Sequence, residues 1–309
     1  MTNLKKLGLT ALAGSLVATT GYAGELSLSG TAKASYTGGD TLGVTGNPYS
    51  MSTGVTLSGS GELDNGMNIA LTMVTDTGST TFSSSSLVLD MGDSGSLALL
   101  KGMSGGYGAG AYKDKMPTAG EEVWDDMSGE LNGLVAMDSA NTLAYGNSIA
   151  GVNFSVDFNA DNGSDGSSKS VGADMSPAEG LMVFAARADI TAATNETDKH
   201  TTYGATYTTM GATVGVQLTS IADATANSDI DRTHIAASFA VNENLSVSYG
   251  MSTVEFEAAS KSDQEDSGFG ASYTMGSMSF GASMLASDNV GGTSGTDDTH
   301  KELSVAFAF

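Results

Sequence analysis

From Glu25 to the last residue the sequence keeps a period of two. Leu26, Leu28, Ala32, Ala34 and Tyr36 alternate with Ser27, Ser29, Thr31, Lys33 and Ser35. Successive side chains of a strand point to opposite faces, so each segment has one apolar and one polar face. The pattern recurs in Val152, Phe154, Val156 and Phe158, and again in Ile235, Ala237, Phe239 and Val241. It closes on Leu303, Val305, Phe307 and Phe309. By the same rule Met182, Phe184, Ala186, Ala188 and Ile190 form an apolar face opposed to Arg187 and Asp189. Leu97 to Lys101 is ambiguous, because Leu97, Leu99 and Leu100 break the alternation.

The connections narrow the fold further. About sixteen such strands are joined by turns and gaps that alternate strictly between short and long. Long polar gaps cover about 37–49, 76–82, 102–141, 160–169, 191–200, 220–232, 257–267 and 287–300. Tight turns such as Asp64-Asn65-Gly66 and Met210-Gly211 lie between them. One end of the sheet therefore carries turns and the other carries loops. That is the layout of an all-β, antiparallel up-and-down transmembrane β-barrel of even strand number. Hydrocarbon offers no partner for backbone N–H and C=O groups, so a sheet in a membrane must close on itself. The apolar set then faces lipid and the Ser, Thr, Asn and Gly set faces a wet bore. A soluble Ser/Thr-rich sandwich or solenoid also alternates, but it predicts neither the short–long order nor an aromatic last residue.

Composition removes other classes. The formal charge of −23 argues against nucleic-acid binding, which needs a basic footprint. Cysteine is absent, which excludes disulfides and thiolate zinc sites. The histidines are scattered at His200, His234 and His300. At the N-terminus, Lys5 and Lys6, the apolar Leu7–Val17 and the small residues Thr19–Ala23 read as an export signal over 1–23, leaving a mature barrel over 24–309. No later apolar run is long enough for a transmembrane helix.

Taken together, these features resemble the general trimeric porins of Gram-negative bacteria, most closely the alphaproteobacterial type. The start Glu25-Leu26-Ser27-Leu28-Ser29-Gly30 is similar to their opening strand. Asn141-Thr142-Leu143-Ala144-Tyr145 with Gly151-Val152-Asn153-Phe154-Ser155-Val156 is similar to the strand pair after their pore loop. The ending Ser304-Val305-Ala306-Phe307-Ala308-Phe309 looks like the signal read by the barrel-assembly machinery, with Phe309 as its key residue. The resemblance implies a homotrimer in the outer membrane, in contact with its lipid and lipopolysaccharide. It also implies that the third outer loop, here 102–141, folds into the lumen as a constriction.

Such a protein needs no catalytic group and is not expected to be an enzyme. Its task is to hold water in a bore of fixed width and bias which solutes pass. The loop supplies Glu121, Glu122, Asp125, Asp126 and Glu130, with Asp138 nearby, and Lys113 and Lys115. Trp124, the only tryptophan, reads as an anchor that packs the loop on the wall. By alternation Lys33, Arg187, Arg232 and His234 point into the lumen as the opposing wall. Family eyelets often show a crowded Arg cluster, whereas this chain has only Arg187 and Arg232. A weak transverse field and mild cation preference are therefore expected. No cofactor is expected, with Ca2+ on the loop carboxylates as the one exception that hard-cation chemistry allows. The spacing matches no defined calcium loop. The expected function is passive diffusion of small hydrophilic solutes and ions. The competing class is a structural or adhesive barrel with a plugged lumen, which would want larger, paired polar groups inside. A secreted surface-layer protein is a third.

Three motifs are decoys. Gly92-Asp93-Ser94-Gly95 echoes a nucleophile turn but sits at a tight turn with no upstream His. Gly106–Gly110 lacks the strand–loop–helix setting of a dinucleotide site. Asn195-Glu196-Thr197 fits a glycosylation sequon that has little meaning in a bacterial outer membrane.

Overall fold

A computed structural model describes residues 26–39, 46–77, 82–102, 106–123, 141–161 and 166–309. The expected signal over 1–23 lies outside them, as do Trp124, Asp125, Asp126, Glu130 and Asp138. Sixteen strands close into one antiparallel barrel in which every strand pairs with its sequence neighbours and the last pairs with the first. They are β1 (Leu26–Gly38), β2 (Tyr49–Glu62), β3 (Asn68–Asp76), β4 (Ser84–Asp90), β5 (Ser96–Lys101), β6 (Thr142–Ile149), β7 (Val152–Asn159) and β8 (Ser167–Ala178). The second half is β9 (Leu181–Thr191), β10 (Thr197–Thr209), β11 (Ala212–Ala222), β12 (Ile230–Ala240), β13 (Leu245–Phe256), β14 (Gln264–Met275), β15 (Met278–Asp288) and β16 (Asp298–Ala308). The short–long order of connections holds throughout.

The tight turns follow from backbone chemistry. Met210 and Gly211 both take positive φ, 47° and 81°, between β10 and β11. A two-residue turn with this geometry matches the right-handed twist of its strands. The β8–β9 connection differs. Its register shifts between Met175 and Ala178, around Pro177. Proline has no N–H to give to the ladder, so the strand bulges there.

The wall has the inside-out character that lipid demands. Val156, Val171, Tyr203, Val214, Ile235, Met251, Phe269 and Met284 face outward and are exposed. The intervening inward positions, among them Ser170, Thr202, Gln217, Thr219, Ser252 and Gln264, are polar and buried. Sixteen strands enclose more space than the wall's own side chains can fill.

Two stretches correct the simple alternation. On β9, Phe184, Ala186 and Ala188 are buried inside the barrel, while Ala185 and Arg187 face out. On β5, Leu97 and Leu99 face out, while Ala98 and Leu100 are buried beside Ala144, Val88 and Tyr107. The physical reason is common to both. The connection after β5 packs on the inner wall, and that part of the wall needs an apolar inner face.

Candidate pore constriction

The chain leaves β5, and Gly108–Tyr112 makes a short 3-10 turn against the inner faces of β7, β8 and β9. Hydroxyls on the wall capture its backbone. The Gly108 N–H donates to Ser155 Oγ at 2.9 Å, and the Ala109 N–H donates to Ser170 Oγ at 2.7 Å. The Tyr112 ring stacks on Phe184 at 6.1 Å and 18°. Its hydroxyl donates to Asp174 Oδ1 at 2.7 Å, and Asn153 Nδ2 donates to the other oxygen at 2.9 Å. Burial, and then the Asp174 hydrogen bond, push the Tyr112 phenol well above its ordinary pKa, so it remains a donor.

Further along, the fully buried Gln217 of β11 receives the segment. Its Nε2 lies 3.0 Å from both the Tyr112 and Lys113 carbonyls, and its Oε1 accepts from the Lys115 N–H at 3.3 Å. The Ala119 N–H donates to Ser248 Oγ of β13 at 2.9 Å. Met116, Val123 and Tyr112 join Phe184, Ala186, Ala188 and Ala236 in one apolar cluster. The wall makes room by omitting side chains. A Cβ on Gly172 would collide with the Tyr112 ring, and one on Gly250 would meet Val123 Cγ1 at 3.0 Å. The segment therefore follows the inner wall from β7 to β14, as the inward-folding expectation required.

At its far end Glu121 reaches Lys33 of β1. Lys33 Nζ lies 3.1 Å from Glu121 Oε1 and 2.7 Å from Glu302 Oε1 of β16. The Lys33 and Glu121 side chains are about a third exposed and Glu302 is 11% exposed, so water reaches the cluster from the side of Lys33 and Glu121. Glu122 is half-buried beside it. The inward residues of β1 and β2 nearest the cluster include Thr31, Ser50 and Ser52, which are small, polar and solvent-exposed. The described segment thus covers the β7–β14 flank and leaves the β1–β3 flank open to water.

The other expected wall residues separate. Arg232 and His234 lie on the inner face of β12, where they are buried, at 3% and 1% exposure. Arg232 acts electrostatically on Asp266 of β14. Arg187 does not face the lumen. It stands in register with Val171 and Thr201 on the outward face and reaches Asp189 at 3.4 Å. Alternation alone puts lipid on the apolar side of β9, whereas that side holds the loop. Asp125, Asp126, Glu130 and Trp124 are outside the described residues, and with them most of the loop carboxylates on which hard-cation chemistry would allow Ca2+. Among the described residues no group of three or more His, Cys, Asp or Glu is arranged to hold a metal ion.

Several residues that build the site are not singled out by the sequence: Tyr112, Ser155, Ser170, Asp174, Gln217 and Ser248. Their polar character fits any wet inner wall. The usable signal was the run of inward apolar residues on β9, which has no purpose unless something apolar covers it.

No family model and no curated protein matches this chain. Solved structures do. A porin refined at 1.8 Å resolution aligns with a TM-score of 0.69 at 16% identity, covering 92% of this chain and 100% of its own. The OmpF of Salmonella typhi, in a complex with daunomycin, aligns with a TM-score of 0.66 at 15% identity over 93% of this chain and 98% of its own. An engineered variant of the Rh. blastica porin gives 0.64 at 15% identity over 92% and 100%. The chain shares their fold over 92–93% of its length.

Proposed function

We propose that this protein is an outer-membrane channel for passive diffusion of small hydrophilic solutes and ions, with a mild preference for cations. The observation that carries the reading is the placement of segment 106–123. It narrows the barrel from one flank and leaves small, solvent-exposed side chains on the other. A plugged barrel would spend large paired polar groups on both. The outward apolar wall supports a lipid setting, since a closed sheet satisfies every internal backbone group that hydrocarbon cannot. The likeness to porin structures supports the same setting. By the resemblance of its sequence, the chain is exported by a signal over 1–23, assembled through Phe309 and trimeric, with lipid and lipopolysaccharide around it.

Charge gives the selectivity. The net charge is −23, and the wet cluster at the constriction holds two carboxylates to one ammonium. A unit charge at about 4 Å is worth about 1 kcal/mol in water, and salt screens it beyond about 8 Å at physiological strength. A several-fold bias follows, not exclusion of anions.

Planar-bilayer recording of the purified protein tests this. Conductance steps in groups of three are expected, with a reversal potential on the cation side in a salt gradient. A tight seal without steps would support the plugged barrel instead. An anion-side reversal potential would overturn the selectivity.

A further inference from the structure

Three of the twelve basic residues of this acidic chain meet on the outside of the barrel. Lys169 of β8 and Lys199 of β10 both stand directly opposite Asp189 of β9, in register across the ladder. Lys169 Nζ lies 3.6 Å from Asp189 Oδ2, and Arg187 Nε lies 3.4 Å from Asp189 Oδ1. One carboxylate therefore faces three cations. The Lys169 and Arg187 side chains are 69% and 55% exposed. All lie near the loop ends of their strands, at the level of the outer leaflet. Directly below and beside them the same outward face forms a groove of about 530 Å3. Leu97, Leu143, Tyr145, Val156, Phe158 and Val171 line it, together with Lys169 and Arg187.

Charged side chains facing hydrocarbon are costly at the midplane and tolerated near the interface. Lys101 of β5 and Lys301 of β16 also face out near loop ends, each without a second cation beside it among the described residues, and another part of the wall at this height is acidic. On β12–β15 the corresponding outward positions are Asp231, Glu255, Glu265 and Asp288, paired acid against acid. A membrane with anionic headgroups would be repelled there and attracted at β8–β10. Cations over an apolar groove match an amphiphile with an anionic head and hydrocarbon chains. We infer that the outward wall over β5–β10 is a seat for one anionic, phosphate-headed lipid of the outer leaflet, with its head on Lys169, Arg187 and Lys199 and its chains in the groove. This rests on the outer-membrane setting proposed above, but not on the channel being open.

Native mass spectrometry of the full-length protein in neutral detergent tests it, with phosphatidylglycerol and phosphatidylcholine as probes. Retention of phosphatidylglycerol over phosphatidylcholine is expected, with inorganic phosphate failing to compete. The triple variant K169Q/R187Q/K199Q should lose about tenfold in phosphatidylglycerol affinity. Its heat-modifiable gel band and bilayer conductance should stay unchanged, because these side chains are on the outside. Equal retention of the two lipids, or undiminished retention by the triple variant, would overturn the proposal. Displacement by inorganic phosphate would also overturn it, by showing a bare anion site. Lipid retention in a protein that gives no conductance steps would remove the channel reading and leave the lipid seat standing.

Discussion

Lys33 holds two carboxylates at once, one from the loop and one from the neighbouring strand. Such partly exposed pairs contribute only about 0–1 kcal/mol to stability. Their effect on ions is larger, because they stand where the passage is narrowed. Lys33→Gln leaves Glu121 and Glu302 without their shared cation, whereas Glu121→Gln leaves the 2.7 Å pair between Lys33 and Glu302 intact. The two substitutions change local charge by one unit in opposite directions. The cation-to-anion permeability ratio should rise about two- to fivefold in Lys33→Gln and fall by a similar factor in Glu121→Gln at low salt. Reversal potentials in a salt gradient read both. A shift of the same sign in the two variants would mean that the cluster acts by shaping the loop and not by its field.

At the scale of elements, the connection after β5 is the part that turns a wide barrel into a site. Its hold on the wall passes through Gln217, whose single side chain meets the Tyr112 and Lys113 carbonyls and the Lys115 N–H. Gln217→Leu keeps the bulk but removes these partners, at about 1–3 kcal/mol for the buried Tyr112 carbonyl and less for the part-buried Lys113 and Lys115 groups. Amide hydrogen exchange should accelerate in residues 112–119 and stay slow in β10, β11 and β12. Single-channel traces should grow noisier. Uniform acceleration across the barrel would show that Gln217 supports the wall and not the loop. The same element marks the limit of legibility. Period-two alternation is a local property, so the strands, their number and the ends that carry long loops could all be read from the chain. Which side of a strand faces lipid is a long-range property wherever the loop packs. Phe184 on β9 and Leu100 on β5 look lipid-facing by hydrophobicity but pack under Tyr112 and Tyr107. For that reason alternation alone points Arg187 into the lumen, whereas it faces outward. On β1 no part of the described loop covers the apolar side chains, and Lys33 lies on the opposite face, where it meets Glu121.

For the whole molecule, everything depends on one seam. The barrel closes where β1 meets β16, in a register that runs from Thr31 opposite Ala308 to Gly38 opposite Lys301. Phe309 adds the last rung. Its N–H donates to the Gly30 carbonyl at 2.8 Å, and its carbonyl accepts from the Gly30 N–H at 3.2 Å. The ring is 78% exposed, so it contributes little by contact with the protein and faces the surroundings at the turn end. The two roles are separable. Phe309→Ala retains both backbone bonds and removes only the ring, whereas deletion of Phe309 removes the bonds as well. In hydrocarbon each lost backbone bond exposes groups that nothing else can satisfy. The deletion should lower the temperature at which the folded gel band converts to the unfolded one, by more than Phe309→Ala does. If the ring is the part read during assembly, Phe309→Ala should reduce the amount reaching the membrane while the molecules that fold keep wild-type conductance and near wild-type heat resistance. Equal yield from Phe309→Ala and wild type would remove the assembly role from Phe309. Equal heat resistance of the deletion would show that the seam is held by Thr31 to Gly38 alone.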